Sequence, residues 1–238
     1  MEIISKMHRK AKNISGCEGV TIAFLGDSVT QGCFEPAPNY IDPVFDKGSA
    51  YHAHLAKALE LLYPNVPVNM INAGISGGSA PHGLARLERD VLRHAPDLVV
   101  VCFGLNDAGG GMEGLEKYTA ALGDIFQAIQ KQGAEIIFMT PNMCNDTLSP
   151  DFDNPGFIQF MQNTMDRQNS GLMDAYMEAA RKTCQSYGVR ICDCYAKWKK
   201  LQAAGVNITA LLANRANHPT REMNWLFAVS LLETMLED

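Results

Sequence analysis

Short apolar runs recur along the chain, separated by longer segments of mixed polarity. Each run is nearly unbroken by polar residues, which is typical of strands buried on both faces of a sheet. The pattern therefore predicts five strands, the last with the weakest signal. The runs are Val20 to Leu25, Val66 to Ile71, Leu98 to Phe103, Ile136 to Thr140 and Val189 to Cys192.

The segments between the runs repeat apolar residues at helical spacing. Strands that alternate with helices favour a parallel sheet with helices on both faces, so the predicted fold class is α/β. The apolar stripes are Leu55, Leu59 and Leu62; Leu84, Leu87 and Val91; Leu115, Leu122, Phe126 and Ile129; Leu172, Tyr176 and Ala180; and, in the last helix, Trp225, Val229, Leu232 and Leu236.

Two connections are too long to be simple turns. They run from Gln31 to Gly48 and from Pro141 to Gly171, and both are rich in proline and polar residues. Loops of this length in a compact domain usually carry function, and ligands of open parallel sheets bind beyond the carboxyl ends of the strands. Both connections leave from such ends, so we expect them to wall one site, with 141–171 as a lid-like insertion.

We expect residues 1–238 to form a single domain. Ile3, Ile4 and Met7 predict a short amphipathic helix within residues 1–15 that packs on the body of the protein. Charged residues interrupt this segment, so it is not expected to be a secretory signal or a membrane anchor. No apolar run approaches the roughly 20 residues needed to span a bilayer.

The charge and cysteine content narrow the functional classes. The chain has 20 basic and 26 acidic residues and a formal net charge of −6, without a basic run, which argues against a nucleic-acid partner. Seven cysteines, an odd number in a chain of this size, suit reduced thiols and a cytoplasmic location. Cys33 and Cys144 lie on the two long connections, and the sequence leaves open whether either thiol is reactive.

Neither a cofactor nor a metal ion is expected. Gly109 to Gly114 matches the G-x-G-x-x-G pattern of dinucleotide sites, but it begins several residues beyond the preceding strand. Lys131 stands about 20 residues further on, where such sites carry an acidic residue. His52 and His54 point to different sides of a helix, which disfavours a metal pair.

Residues suited to acyl transfer follow several of the predicted strands. Ser28 ends a buried strand in Gly-Asp-Ser, and Gly74 lies in a turn of small residues after the second strand. Asn106 follows the third strand in Gly-x-Asn-Asp, and His218 precedes the last helix in Asn-His-Pro. Acyl transfer from an ester needs an activated hydroxyl, a base and donors aimed at the developing oxyanion. These residue types could fill the three roles.

The four blocks, in this order, resemble the GDSL or SGNH hydrolase family over nearly the whole chain. The resemblance implies a flavodoxin-like three-layer α/β/α sandwich that hydrolyses esters without a metal. It implies Ser28 as nucleophile, His218 as base, and an oxyanion hole formed by the N–H groups of Ser28 and Gly74 and the Asn106 side chain. The expected partner is a small-molecule ester, and the oligomeric state stays open.

One position departs from the family pattern. The family usually orients its histidine with an aspartate three residues earlier, where this chain has Arg215. We favour a Ser–His dyad in which a backbone carbonyl near Arg215 holds the histidine. A borrowed carboxylate and a weakened enzyme are the alternatives. Asp27 and Asp107 are expected to cap helices or brace loops.

The leading functional hypothesis is a cytoplasmic serine esterase that removes a short acyl group, in particular acetyl, from a carbohydrate or other small molecule. A lipolytic or thioesterase activity on longer acyl chains is the first alternative. The second is a binding protein on the same fold that has lost catalysis together with its acid.

Overall fold

A computed structural model describes residues 1–237. Their central feature is a five-stranded parallel sheet whose strands coincide closely with the five apolar runs. The central β1 and β5 strands are almost wholly buried, because helices cover both faces of the sheet. The five strands are β1 (Val20–Gly26), β4 (Val68–Gly74), β5 (Leu98–Cys102), β6 (Glu135–Met139) and β7 (Arg190–Cys192).

The spatial order of the sheet is β4-β1-β5-β6-β7, and all neighbours are parallel. Counted among themselves along the chain, these strands lie in the order 2-1-3-4-5, which is the flavodoxin-like arrangement. Successive strands are thus added on opposite sides of β1, and the crevice outside the carboxyl ends of β4, β1 and β5 is where a ligand is expected. The predicted α/β fold class is confirmed.

Helices flank the sheet in two groups. Helices α3 and α9 pack together on one side with α1 and α8 beside them, and α5 packs between α4 and α7 on the other side. No helix among residues 1–237 combines the length and apolar character needed to cross a membrane. The helices are α1 (Glu2–Lys12), α2 (Ser28–Gln31), α3 (Tyr51–Leu62), α4 (Ala80–Asp90), α5 (Leu115–Lys131), α6 (Pro155–Asn169), α7 (Leu172–Tyr187), α8 (Cys194–Ala203) and α9 (Asn224–Leu236).

The amino-terminal helix α1 packs against the sheet and α9 through the apolar face read from the sequence. Ile3 and Met7 are fully buried. Both oxygens of the Glu135 carboxylate accept the N–H groups of Glu2 and Ile3, at 3.0 and 2.7 Å. These bonds satisfy donors that have no partner inside the helix.

Both long connections contain regular structure that the hydrophobic pattern did not indicate. The first folds into an antiparallel hairpin, β2 (Cys33–Pro36) and β3 (Pro43–Phe45). The second is irregular only up to Asn154, whose side chain caps helix α6 by accepting the N–H of Phe157 at 3.0 Å. Both segments lie over the carboxyl edge of the sheet, where they can contact a ligand.

The last helix exposes most of the apolar stripe read from its sequence. Trp225, Val229 and Leu236 are 44, 47 and 53% exposed, while Phe227 and Leu231 are fully buried. Helix α9 has apolar residues on more than one face, so periodicity located the helix but not its inward side.

Candidate active site

Ser28 lies directly beyond the carboxyl end of β1, at the first position of the short helix α2. The Asp27 carboxylate caps this helix by accepting the N–H of Val29 at 3.0 Å. The Ser28 N–H belongs to the first helical turn, where backbone donors have no partner within the helix. The strand-to-helix turn thus presents a hydroxyl and a backbone donor at the same point.

His218 is in hydrogen-bond contact with this serine. Its Nε2 lies 2.9 Å from Ser28 Oγ, and its Nδ1 lies 2.8 Å from the carbonyl oxygen of Phe34 in β2. A carbonyl can only accept, so Nδ1 carries the proton and Nε2 is left with the lone pair that a base requires. Burial lowers the pKa of His218 to about 4, so the imidazole is neutral at pH 7.

Asn214 shapes the loop that carries the histidine. Its Oδ1 accepts the N–H groups of Ala216, Asn217 and His218 at 2.9 to 3.0 Å. Its Nδ2 donates to Asn217 Oδ1 at 2.9 Å. The Asn214 side chain therefore acts on the backbone that positions the imidazole.

Arg215 lies in this loop but points away from the imidazole. Its Nε donates to Asp151 at 2.6 Å, and its Nη1 donates to the carbonyl oxygens of Ala210 and Leu212. Its backbone is left-handed, with φ of 55°. The carbonyl in contact with His218 is that of Phe34 and not one near Arg215, which corrects the expectation. The hydrogen bonds of the Arg215 side chain go to Asp151, Ala210 and Leu212 instead.

Gly74 is the last residue of β4 and lies beside α2. A glycine is needed here for the packing of these two elements. A Cβ at this position would lie 2.2 Å from the backbone nitrogen of Gln31, so a larger residue would push α2 away. The Gly74 N–H already donates to Asn72 Oδ1 at 2.9 Å. This donor is therefore unavailable to an oxyanion, and the role expected for Gly74 has to be corrected.

Gly77 and Asn106 face the cavity beside Ser28. Gly77 has a φ of 74°, a conformation that favours glycine, and a Cβ there would meet no atom within 4 Å. One N–H of the Asn106 amide donates to the carbonyl of Gly78 at 2.8 Å, which fixes the amide plane and leaves its second N–H for another acceptor. The turn after β4 and the turn after β5 thus brace each other.

The carboxyl groups of Asp27 and Asp107 lie buried behind these turns. Asp107 accepts the N–H of Ala80 at 2.8 Å and so holds the start of α4. Burial raises the pKa of Asp27 to about 7 and that of Asp107 to about 6, and the charge of Asp107 raises the pKa of Asp27 further. Both residues brace the site rather than line it.

The cavity above Ser28 has a volume of about 460 Å³. The hairpin and the start of α6 supply most of its apolar wall, and Ser28, His218, Asn106 and Asn217 form its polar floor. Its lining contains no lysine or arginine. Within residues 1–237 no group of three His, Cys, Asp or Glu side chains is arranged to hold a metal ion.

The two thiols singled out in the sequence are both buried. Burial raises the pKa of Cys33 to about 11 and that of Cys144 to about 12. Both are therefore protonated at neutral pH, which disfavours nucleophilic reactivity.

Sequence reasoning missed the main-chain acceptor on Phe34 and the position of Gly77 in the cavity lining. The first carries no side-chain signal. The second had one, since Gly77 and Gly78 are adjacent glycines three residues beyond Gly74. A turn that approaches a ligand with its backbone favours glycine at the contact point itself.

A flavodoxin-like sheet with a hydrogen-bonded serine and histidine at its carboxyl edge defines the architecture of a serine hydrolase. The chain belongs to the GDSL-like lipase/acylhydrolase family, whose model matches residues 24–226. Family membership, predicted from four short blocks, is thereby confirmed.

Two curated relatives match parts of the chain. An acetylxylan esterase of Geobacillus stearothermophilus is 30% identical over 132 residues, which are 52% of this chain and 60% of that protein. An arylesterase of Vibrio mimicus is 36% identical over 81 residues, which are 33% of this chain and 39% of that protein. The chain thus spans less than two thirds of either relative.

Solved structures show the same fold over almost the full length. The acetylxylan esterase of Geobacillus stearothermophilus has a TM-score of 0.68 at 22% identity, covering 93% of this chain and 96% of its own. A second acetyl xylan esterase, AlAXEase, has a TM-score of 0.67 at 20% identity, covering 91% and 100%. Catalytic mutants of the former replace a serine, an aspartate and a histidine, with the aspartate three positions before the histidine.

Proposed function

We propose that this protein is a serine esterase that removes short acyl groups, acetyl in particular, from a carbohydrate or another small alcohol through an acyl-enzyme. The observation that carries the proposal is the 2.9 Å contact between Ser28 Oγ and His218 Nε2 at the floor of the cavity. The esterase relatives support the same activity class.

In the first half-reaction, Ser28 Oγ bonds to the acyl carbon while its proton passes to His218 Nε2. The carbonyl oxygen becomes an oxyanion that accepts hydrogen bonds from the N–H groups of Ser28 and Gly77 and from Asn106 Nδ2. The carbon–oxygen bond to the alcohol then breaks, and His218 gives its proton to the departing oxygen. Water repeats these steps on the acyl-enzyme and releases the acid.

The main-chain acceptor on Phe34 supports activity without an aspartate. It fixes the tautomer and ring orientation of His218, as an acid would, but it adds no charge to stabilise the imidazolium. The alternative of a catalytically lost binding protein therefore has less support, because the serine, the base and the orienting acceptor are all in contact.

The nucleophile is tested with p-nitrophenyl acetate and a fluorophosphonate probe. We expect Ser28→Ala to abolish both turnover and labelling while leaving the thermal unfolding temperature nearly unchanged. Asn106→Ala should lower kcat and kcat/KM together by about 10² to 10³, because the contact strengthens in the transition state. Turnover retained by Ser28→Ala would refute the proposed mechanism.

Acyl length is tested separately with p-nitrophenyl esters from acetate to decanoate. The proposal expects kcat/KM to fall as the chain lengthens. A maximum at eight carbons or more would favour the lipolytic alternative. The absence of lysine and arginine from the cavity lining supports an uncharged substrate over one that must anchor a phosphate.

A further inference from the structure

The cavity wall contains a connected group of aromatic rings. We call Tyr40, Phe157 and Phe160 the aromatic wall, since all three line the cavity. The Tyr40 ring lies 5.6 Å from that of Phe157, which lies 5.7 Å from that of Phe160. Phe152 packs behind them, 4.9 Å from Phe157 and 6.0 Å from Tyr40.

The aromatic wall joins two segments that are far apart in the chain. Tyr40 lies on the hairpin connection between β2 and β3, and Phe157 and Phe160 lie in the first turns of α6. None of the three rings is fully buried, and Phe160 is 36% exposed. Apolar rings left partly open at a cavity can bury further area only against a ligand.

The chemistry of the site indicates which half of an ester would meet this wall. The carbonyl oxygen must point to Gly77 and Asn106, and the alcohol oxygen must come within reach of His218 Nε2 to receive its proton. The hairpin that carries Tyr40 also holds His218, through the carbonyl of Phe34 in β2. The alcohol half therefore leaves on the hairpin side of the cavity.

We propose that the aromatic wall binds the alcohol half of the substrate and that this half is an uncharged ring. The inference rests on the proposed esterase function and adds the class of alcohol to it. Flat or apolar ring faces stack on aromatic side chains, whereas a linear alkyl alcohol gains much less from them.

The charges around the wall support an uncharged alcohol. Asp42 is the one acidic side chain in the cavity lining, and no lysine or arginine balances it there. An anionic alcohol would meet repulsion without a compensating cation, while ring hydroxyls could donate to the exposed carboxylate. A sugar and a phenol share the required ring, and the substrates of the test distinguish them.

The test compares three acetates: phenyl acetate, an acetylated methyl xyloside and ethyl acetate, whose alcohol has no ring. We expect Phe157→Ala to reduce kcat/KM for one or both ring esters about three- to tenfold more than for ethyl acetate. Phe157→Leu should show the same selective loss, because it keeps apolar bulk but lacks the flat ring. Phe160→Ala provides an independent, more exposed position.

Phe45→Ala is the matched control. Phe45 lies in β3 of the same hairpin, is 50% exposed and does not line the cavity, so its removal should leave all three rates unchanged. A selective loss with phenyl acetate alone would identify an aryl alcohol, and one with the xyloside alone would identify a sugar.

Equal losses on all three acetates in Phe157→Ala and Phe160→Ala would overturn the inference but leave the esterase intact. A separate readout needs no turnover: calorimetric titration of the Ser28→Ala variant with each acetate. Binding of a ring ester should weaken about three- to tenfold when Phe157→Ala is added. Binding that is indifferent to Phe157 would also overturn it, whether or not the wild type hydrolyses esters.

Discussion

His218 and Arg215 stand three positions apart in one loop but belong to different environments. The histidine is buried with partners on both ring nitrogens, Ser28 on one and the Phe34 carbonyl on the other. The arginine reaches outward to Asp151 and is 29% exposed in its side chain. Proximity in the sequence therefore does not make Arg215 part of the proton-transfer path.

Replacing the arginine tests this separation. We expect Arg215→Ala to change kcat less than about twofold and to lower the free energy of unfolding by about 1 kcal/mol, through lost bonds to Asp151 and two carbonyls. Arg215→Asp should not raise kcat, because the Nδ1 proton is already donated to Phe34 and the new carboxylate would face Asp151.

Steady-state kinetics and urea unfolding of both variants check these outcomes. A more than tenfold loss of kcat in a fully folded Arg215→Ala protein would show that the guanidinium acts on the substrate or on the base. A gain in kcat for Arg215→Asp would show that the imidazole can turn toward position 215.

At the scale of elements, helix α4 fastens the edge of the sheet on which the site is built. The Arg86 guanidinium is buried and donates to the carbonyl of Gly26 at 2.9 Å and to that of Ala73 at 2.5 Å. These carbonyls lie at the carboxyl ends of β1 and β4, next to Ser28 and the Gly77 turn. One side chain thus holds two strand ends in register.

Removing this link should destabilise the protein. Arg86→Met would remove a donor from each of these buried carbonyls, although that of Gly26 would keep the N–H of Ile75 at 3.1 Å. We therefore expect the free energy of unfolding to fall by about 2 kcal/mol. Arg89→Met, on the same helix but 67% exposed, is the matched control and should leave the free energy of unfolding nearly unchanged. Urea denaturation measures both, and equal effects would contradict a linking role for Arg86.

The elements differ in how far the sequence could predict them. Strands buried on both faces leave a run of apolar residues, so β1 and β5 were readable within a residue or two. Helix α6 was missed because Phe157 and Phe160 face the cavity rather than the core, which removes the usual apolar stripe. Its Asn-Pro start at Asn154 was the available signal, since Asn at the cap and Pro at the first position favour a helix.

For the whole molecule, the site gathers residues that only the topology brings together. Ser28, Asn106 and His218 could be chosen from the sequence because each lies within a short motif whose residue types suit acyl transfer. The acceptor for His218 could not, because it is a backbone atom whose position follows from the course of β2. The sequence did mark the glycine-rich turn after β4, but not which of its glycines faces the cavity. Gly74 shows this limit. A glycine in this turn was expected to contact a ligand, but at this position it allows α2 to pack against β4.

The buried Asp27 makes the stability of the whole molecule depend on pH. Burial raises its pKa from 3.8 to about 7, so between these values the folded chain holds a proton that the unfolded chain has released. The stabilising contribution of the protonated Asp27 is complete below pH 3.8 and is lost as the pH rises through about 7. We expect the free energy of unfolding to fall by about 2 kcal/mol more between pH 5 and 8 in the wild type than in Asp27→Asn.

Asparagine keeps the oxygen that caps α2, so the comparison isolates the titration of this carboxyl group. Urea unfolding of both proteins at pH 5 and pH 8 measures the difference. Parallel pH profiles would mean that Asp27 is ionised throughout this range in the folded protein.

The hydrogen bond from His218 to the Phe34 carbonyl has a consequence for how the protein tolerates mutation. A carboxylate that orients a histidine disappears with one codon change, but every residue placed at position 34 brings the same carbonyl. The orientation of His218 therefore depends on the path of the β2 backbone and not on the side chain at position 34. Any substitution there that preserves the hairpin should keep it. The residue at position 215 does not need to orient the histidine. Its identity is constrained by the left-handed backbone and by the contact with Asp151.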